Sequence, residues 1–149
     1  MSTVRTVIRP SDHGRSMTLE EFEHAEAEDG RPFELSRGVI TMVDVPKPGS
    51  LRLLDLLRQQ FSDFKSAHPE MIYAIAGGGE CKLLIEELQS ERHPDLAIYK
   101  TPPPDGRNDD DVWSEWIPEI VVEIVSPSSR QRDYEQKPEE YLRLGIGEY

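Results

Sequence analysis

The most constraining feature of this sequence is an apolar run that is interrupted by one acidic residue. Residues 120–125 read Ile-Val-Val-Glu-Ile-Val, and β-branched side chains on both faces predict a buried strand. Glu123 stands in the middle of this run. A carboxylate in a buried strand loses hydration worth several kcal/mol unless it is paired or bound to a cation. Glu123 is therefore a candidate functional residue, and the alternative is an edge strand on which it faces solvent.

A second acidic residue directly precedes another predicted strand. Asp95 follows Pro94 and leads into the apolar residues 96–99. If the strands 96–99 and 120–125 are neighbours, the two carboxylates can share one site. Mg²⁺ prefers oxygen ligands, commonly one or two carboxylates with water and phosphate oxygens, and such a pair suits metal-assisted phosphodiester hydrolysis. The alternative is that Asp95 is only a turn residue beside a proline.

The remaining pattern predicts a mixed α/β (α+β) domain. Residues 18–21 match a capping box that begins a short helix, and residues 33–43 predict a β-hairpin. Leucine and phenylalanine recur at helical spacing over residues 51–66, and a last helix is predicted over 133–144. Further strands are predicted over 71–76, 81–85, 96–99 and 120–125. We expect helices around a mixed sheet.

The size of the chain predicts a single domain. Its 149 residues match the usual size of about 100 to 150 residues. Residues 1–16 carry no periodic pattern and predict a flexible tail, so the domain is expected to cover residues 17–149.

The composition narrows the kind of partner and the compartment. With 17 basic and 29 acidic residues the net charge is −12. This charge counts against a passive DNA-binding module. Any contact with nucleic acid would need a local basic patch or a bound metal. Cys81 is the single cysteine, so an internal disulfide framework is excluded. There is no apolar run of about 20 residues and no hydrophobic segment after the first arginines. We therefore expect a cytoplasmic protein with no membrane partner.

Several short blocks of the sequence occur in a characteristic order. They comprise residues 18–22, 30–35, 38–40, 94–97 and 121–128, followed by Asp133, Lys137, Tyr141, Gly145, Glu148 and Tyr149. From about residue 17 to the end, these blocks resemble the Uma2 family, also called DUF820. That family is similar to the PD-(D/E)XK, restriction-endonuclease-like superfamily. The resemblance implies a central mixed sheet flanked by helices, with a site for Mg²⁺ or Mn²⁺ at its edge.

The resemblance also assigns roles to individual residues. Asp95 matches the PD aspartate and Glu123 the second acid, and both are implied metal ligands. Glu34 matches an early acid of the family that would complete the carboxylate cluster; the alternative is an exposed strand glutamate. The superfamily lysine would fall at Val125, and the Uma2 pattern instead has a lysine on the following helix, at the place of Lys137. That ammonium would orient a water or stabilise charge on the phosphate, unless it is a solvated helix lysine.

Two details depart from the family pattern. Pro138 stands directly after Lys137 in place of a leucine-like residue, which bears on the orientation of the lysine. The family pattern continues beyond the position of Tyr149 into another strand and helix. The chain is therefore expected to lack about 40 residues of the usual length of the family.

The prediction from these residues is an Mg²⁺-dependent or Mn²⁺-dependent endonuclease with DNA as its substrate. Glu34, Asp95, Glu123 and Lys137 are its predicted catalytic residues, and the first three are its predicted metal ligands. Cleavage of both strands would favour a homodimer. One alternative is a nuclease-like domain that binds a protein or a nucleic acid without cleaving it. Another is a truncated relic of a mobile element.

Overall fold

A computed structural model of the chain describes residues 5–107 and 109–149. Two compact units divide the chain. Unit 1 comprises Met1–Val45 and Leu84–Arg92, and unit 2 comprises Pro46–Leu83 and His93–Tyr149. None of the helices in the described ranges has both the length and the apolar composition needed to cross a membrane.

Three α-helices and nine strands form within these residues. The helices are α1 (Leu19–Glu23), α2 (Pro48–Ala67) and α3 (Lys137–Arg143). The strands are β1 (Val7–Ile8), β2 (Glu26–Ala27), β3 (Phe33–Ser36), β4 (Val39–Met42), β5 (Ala74–Ala76), β6 (Leu83–Ile85), β7 (Ser90–Arg92), β8 (Leu96–Tyr99) and β9 (Ile120–Val122). The predicted mixed α/β class is confirmed. The strands are distributed over three sheets, in the orders β1-β2, β4-β3-β7-β6 and β5-β8-β9.

The predicted capping box and hairpin both form in unit 1. The Thr18 hydroxyl accepts the Glu21 N–H at 3.2 Å, and the Glu21 carboxylate accepts the Thr18 N–H at 3.0 Å, so α1 begins at the residue that follows Thr18. β3 and β4 pair antiparallel through a two-residue turn. Arg37 and Gly38 in this turn have φ angles of 50° and 77°, the positive values that tight hairpins require.

The beginning of the described chain differs from the flexible tail that the sequence predicts. β1 pairs parallel with β2, and Ile8 is buried in the apolar core of unit 1 with Leu19 and Phe22. Two apolar residues are too few to show the periodicity of a strand, but the burial of Ile8 contributes to the core. The boundary of the domain itself stays a prediction.

Unit 2 contains the two strands on which the candidate acids were predicted. β8 is the central strand of an antiparallel sheet, between β5 and β9, and all four of its side chains are buried. The apolar pattern over residues 51–66 forms α2, which extends by one turn at its beginning because Pro48 occupies the first turn, where a missing N–H costs nothing. The buried β8 therefore provides a rigid base for residues at its end.

Gly77 tests how tightly the chain packs at the start of β8. A Cβ atom at residue 77 would lie 2.8 Å from the main-chain oxygen of Asp95 and would also meet the guanidinium of Arg58. We expect Gly77→Ala to lower the free energy of unfolding by about 1–3 kcal/mol, since backbone must shift. Urea unfolding measures this effect. Gly79→Ala is the matched control, because a Cβ there meets nothing within 4 Å; equal losses in the two variants would contradict the argument.

Candidate active site

The two predicted metal ligands flank the last pair of β8 and β9. Leu96 pairs with Val122 and Ala97 with Val121. The same register, if continued by one residue beyond this pair, sets Asp95 opposite Glu123. Directly opposed residues of an antiparallel pair project to the same face, with Cβ atoms about 5 Å apart. The two strands are therefore neighbours, which is the condition under which the sequence predicts a shared carboxylate site.

Asp95 also determines where β9 ends. Its Oδ2 accepts the main-chain N–H of Ile124 at 2.7 Å. This hydrogen bond takes the place of a ladder bond, so β9 ends at Val122, whereas the apolar pattern predicts a strand to residue 125. The carboxylate is thus held at the end of the sheet by the backbone that follows Glu123.

Glu123 is enclosed by two polar partners from one helix. Its Oε1 lies 2.9 Å from Nζ of Lys137 and accepts the Tyr141 hydroxyl at 2.6 Å. The side chains of Glu123 and Lys137 are each 6% exposed. Glu123 therefore does not face solvent, and Lys137 is not a solvated helix lysine. A buried ion pair and a hydrogen bond replace their contacts with water.

Lys137 has a second carboxylate partner, Asp133. The distance from Nζ to Oδ1 of Asp133 is 3.0 Å, and the Asp133 side chain is 2% exposed. The Ser129 hydroxyl donates to the other carboxylate oxygen, and the Tyr149 hydroxyl donates to the main-chain oxygen of Asp133. One ammonium is therefore shared by two buried carboxylates.

The backbone around Lys137 explains how it tolerates the following proline. A wide π-helical turn over Arg132–Gln136 leads into α3, and the N–H of Lys137 bonds to the carbonyl of Arg132. Pro138 has no N–H, and the carbonyl five residues before it, that of Asp133, accepts the Tyr149 hydroxyl instead. The substitution for a leucine-like residue thus leaves Lys137 directed at Glu123.

Sequence reasoning did not assign a functional role to Asp133 or Tyr141. Both lie four residues from Lys137, a spacing that places side chains on one face of a helix. This spacing is the sequence signal that the three side chains share a face. It indicates a role in the site only when Glu123 is known to lie against the same helix.

Glu34, the third predicted ligand, lies in unit 1. Its carboxylate is 3% exposed and its Oε2 is 3.2 Å from Nη1 of Arg92, whose side chain is fully buried. Nη2 of Arg92 donates to the Ser36 hydroxyl at 2.9 Å. Glu34 is therefore not an exposed strand glutamate. The role of Glu34 as a metal ligand stays a prediction.

The donor set of unit 2 fits a hard divalent cation that retains much of its water. Across residues 5–107 and 109–149, no group of three or more carboxylate, imidazole or thiol side chains is arranged to hold a metal ion. Asp95 and Glu123 supply two carboxylates, the number with which Mg²⁺ is commonly held when water and phosphate complete its shell. Burial raises the pKa of Cys81 to about 11, so this nearby thiol stays protonated at neutral pH and offers no soft ligand.

A polar groove of about 600 Å³ lies between the segment that precedes the π-helical turn and the exposed side of that turn. Pro127, Arg130, Gln131, Tyr134 and Glu135 line it. Tyr134, which follows Asp133 in the chain, is 64% exposed. An exposed aromatic ring beside an arginine can stack on a base and bind a phosphate.

Comparisons with known proteins identify the family and the fold of this chain. The model of the Uma2 family, described as "Putative restriction endonuclease", matches residues 19–149, and the chain belongs to this family. Its fold is similar to that of the crystal structure of a putative nuclease belonging to DUF820 from Anabaena variabilis, with a TM-score of 0.53 and 19% sequence identity, over 87% of this chain and 67% of the other. A search of curated proteins gives no match. The predicted family and the restriction-endonuclease-like fold are thus confirmed, and together they indicate a nuclease.

Proposed function

We propose that this protein is a divalent-metal-dependent endonuclease that hydrolyses phosphodiester bonds in DNA. The observation that carries the proposal is the hydrogen bond from the Ile124 N–H, directly after Glu123, to the Asp95 carboxylate, with the buried ammonium of Lys137 at 2.9 Å from the Glu123 carboxylate. Two acids and a lysine at the end of one sheet are the groups that metal-assisted hydrolysis needs. The family and the fold support the same class of reaction.

In this proposal Asp95 and Glu123 hold Mg²⁺ or Mn²⁺, and Glu34 is the third acid. The cation, when bound, supplies a Lewis acid for the phosphate and lowers the pKa of water. Asp95 keeps its orientation through the Ile124 N–H, and Glu123 keeps its own through the Tyr141 hydroxyl. These contacts hold the carboxylates in place before substrate arrives, so little reorganisation is needed.

Lys137 is proposed to act on the substrate phosphate. Its ammonium lies beside Glu123 and is buried, so it is only weakly screened by solvent. A positive charge there stabilises the negative charge that develops on the phosphate oxygens during hydrolysis.

The groove lined by Arg130 and Tyr134 is the proposed contact for the nucleic acid. Because the whole chain has a net charge of −12, substrate binding must depend on such local contacts and on the metal. A homodimer would allow both strands of a duplex to be cut, and it is part of the proposal.

A cleavage assay tests the proposed function. Metal-free protein is incubated with supercoiled plasmid, linear duplex, single-stranded DNA and RNA, each with Mg²⁺, Mn²⁺ or EDTA. We expect DNA cleavage with Mg²⁺ or Mn²⁺ and none with EDTA. Asp95→Asn, purified in parallel, controls for a contaminating nuclease.

Two results would contradict the proposal. Equal cleavage by the wild type and by Asp95→Asn would assign the activity to a contaminant. Metal-independent binding of DNA without cleavage would favour the alternative of a nuclease-like binding domain.

A further inference from the structure

We propose that Lys137 is a built-in cation that occupies the carboxylate site when no metal is bound, and that Asp133 keeps this lysine in the site when a divalent cation displaces it from Glu123. The inference rests on the proposed function, since it concerns the same site. It adds that Lys137 offsets part of the negative charge of the site in the metal-free protein, and that Asp133 is a positioning residue.

The first support is the position of the ammonium. Nζ of Lys137 lies 2.9 Å from a Glu123 oxygen and 3.0 Å from an Asp133 oxygen, between two carboxylates that are themselves buried. Buried carboxylates require a cation or a proton to remain in place. In the absence of metal, the lysine supplies that positive charge.

The second support is the charge balance of the site. Asp95, Glu123 and Asp133 together carry three negative charges when ionised, and Lys137 supplies one positive charge. One divalent cation in addition to the lysine would balance the charges of these three carboxylates. The negative charge of these carboxylates is therefore large enough to be balanced by a metal ion and the lysine together.

The third support is the difference between the two partners of Lys137. Asp133 lies one helical turn before it, so this contact depends on one continuous segment of chain. Asp133 is also held by the Ser129 hydroxyl at its side chain and by the Tyr149 hydroxyl at its backbone. Glu123 belongs instead to the segment that follows β9. Lys137 can thus release Glu123 to a metal and still remain beside Asp133, near the position of the phosphate.

Calorimetric titration of Mn²⁺ into the metal-free full chain tests the inference. We expect Lys137→Met to bind Mn²⁺ about tenfold more tightly than the wild type, the factor that follows if the lysine leaves the metal-competent arrangement populated about one tenth of the time. Lys100→Met is the matched control, because it removes the same charge from an exposed position of unit 2. Its Mn²⁺ affinity should stay within about twofold of the wild type.

A second variant covers the case in which Lys137→Met does not fold without metal. Asp133→Asn keeps the lysine but removes its second anionic partner, so Lys137 should hold Glu123 more strongly and Mn²⁺ should bind several-fold more weakly. If Lys137→Met does fold, the effect of Asp133→Asn should be much smaller in the double variant than in the wild-type background. A purely structural role for Asp133 would not produce this dependence on Lys137.

The outcomes separate this inference from the proposed function. Wild type and Lys137→Met that bind Mn²⁺ equally would overturn the inference and leave the metal site intact. Binding by Lys137→Met but not by the wild type would support the inference and count against a metal-dependent activity of the natural chain. Absence of binding in both proteins, or an unchanged affinity of Asp133→Asn, would overturn the inference.

Discussion

Asp95→Asn is expected to lower the rate of metal-dependent DNA cleavage by at least about 100-fold without unfolding the protein. The amide oxygen of asparagine can still accept the Ile124 N–H, so β9 should end where it does in the wild type. The variant removes a negative charge from the site opposite Glu123 and with it one proposed metal ligand. Initial cleavage rates at saturating Mn²⁺, together with circular dichroism, measure both parts of this prediction.

The control for this variant is Glu139→Gln, which makes a comparable change at an exposed carboxylate of α3. Glu139 pairs with Arg143 at 3.1 Å on the surface, and such pairs contribute less than about 1 kcal/mol. We expect its cleavage rate to equal that of the wild type. Wild-type cleavage by Asp95→Asn would contradict the role of Asp95 as a metal ligand and would assign the activity to a contaminant.

Arg92→Met is expected to have the largest effect on stability, a loss of about 3–5 kcal/mol in the free energy of unfolding. The guanidinium of Arg92 is fully buried and pairs with Glu34, so its removal leaves a carboxylate in the core of unit 1 without that partner. Desolvation of a charge is costly when its counterion is lost. Urea unfolding followed by circular dichroism measures the change.

Two further variants test whether burial is the cause. Arg143→Met removes an arginine of an exposed pair and should cost less than about 1 kcal/mol. The double variant Glu34→Gln/Arg92→Met should recover part of the lost stability, because the uncompensated charge is gone. A double variant that is less stable than Arg92→Met would show that the buried charge is not what destabilises the protein.

The two acids of the candidate site that lie at the ends of β8 and β9 could be named from the sequence. Glu123 interrupts an apolar run, and this contrast between burial and charge is visible in a single chain. Asp95 became informative because β8 and β9 are neighbours with a register that sets it opposite Glu123. Pairing between strands is not encoded in local pattern, so this step required the structure.

The residues of the candidate site that lie on the helical segment were harder to predict from the sequence. A lysine in a charged segment is usually solvated, and Lys137 was assigned only through the family resemblance. Asp133 and Tyr141 lacked even that assignment, since their roles depend on which helix faces Glu123. The ammonium of Lys137 reaches Glu123 from a helix, so position 125, which lies beyond the end of β9, can hold an aliphatic residue.

Strand β7 shows the main weakness of pattern-based prediction in this chain. Ser90, Glu91 and Arg92 read as surface residues, yet all three are buried and β7 pairs with β3. Propensity rules treat charged residues as exposed because they are almost never buried unless paired. Here Arg92 is paired with Glu34, which lies far away in the sequence.

The most direct test of the metal site is a calorimetric titration of Mn²⁺ into the wild type and into Asp95→Ala/Glu123→Ala. If these two carboxylates hold the cation, the wild type binds Mn²⁺ and the double variant shows no binding at the same protein concentration. Equal binding by the two folded proteins, or no binding by the folded wild type, would contradict the proposed active site.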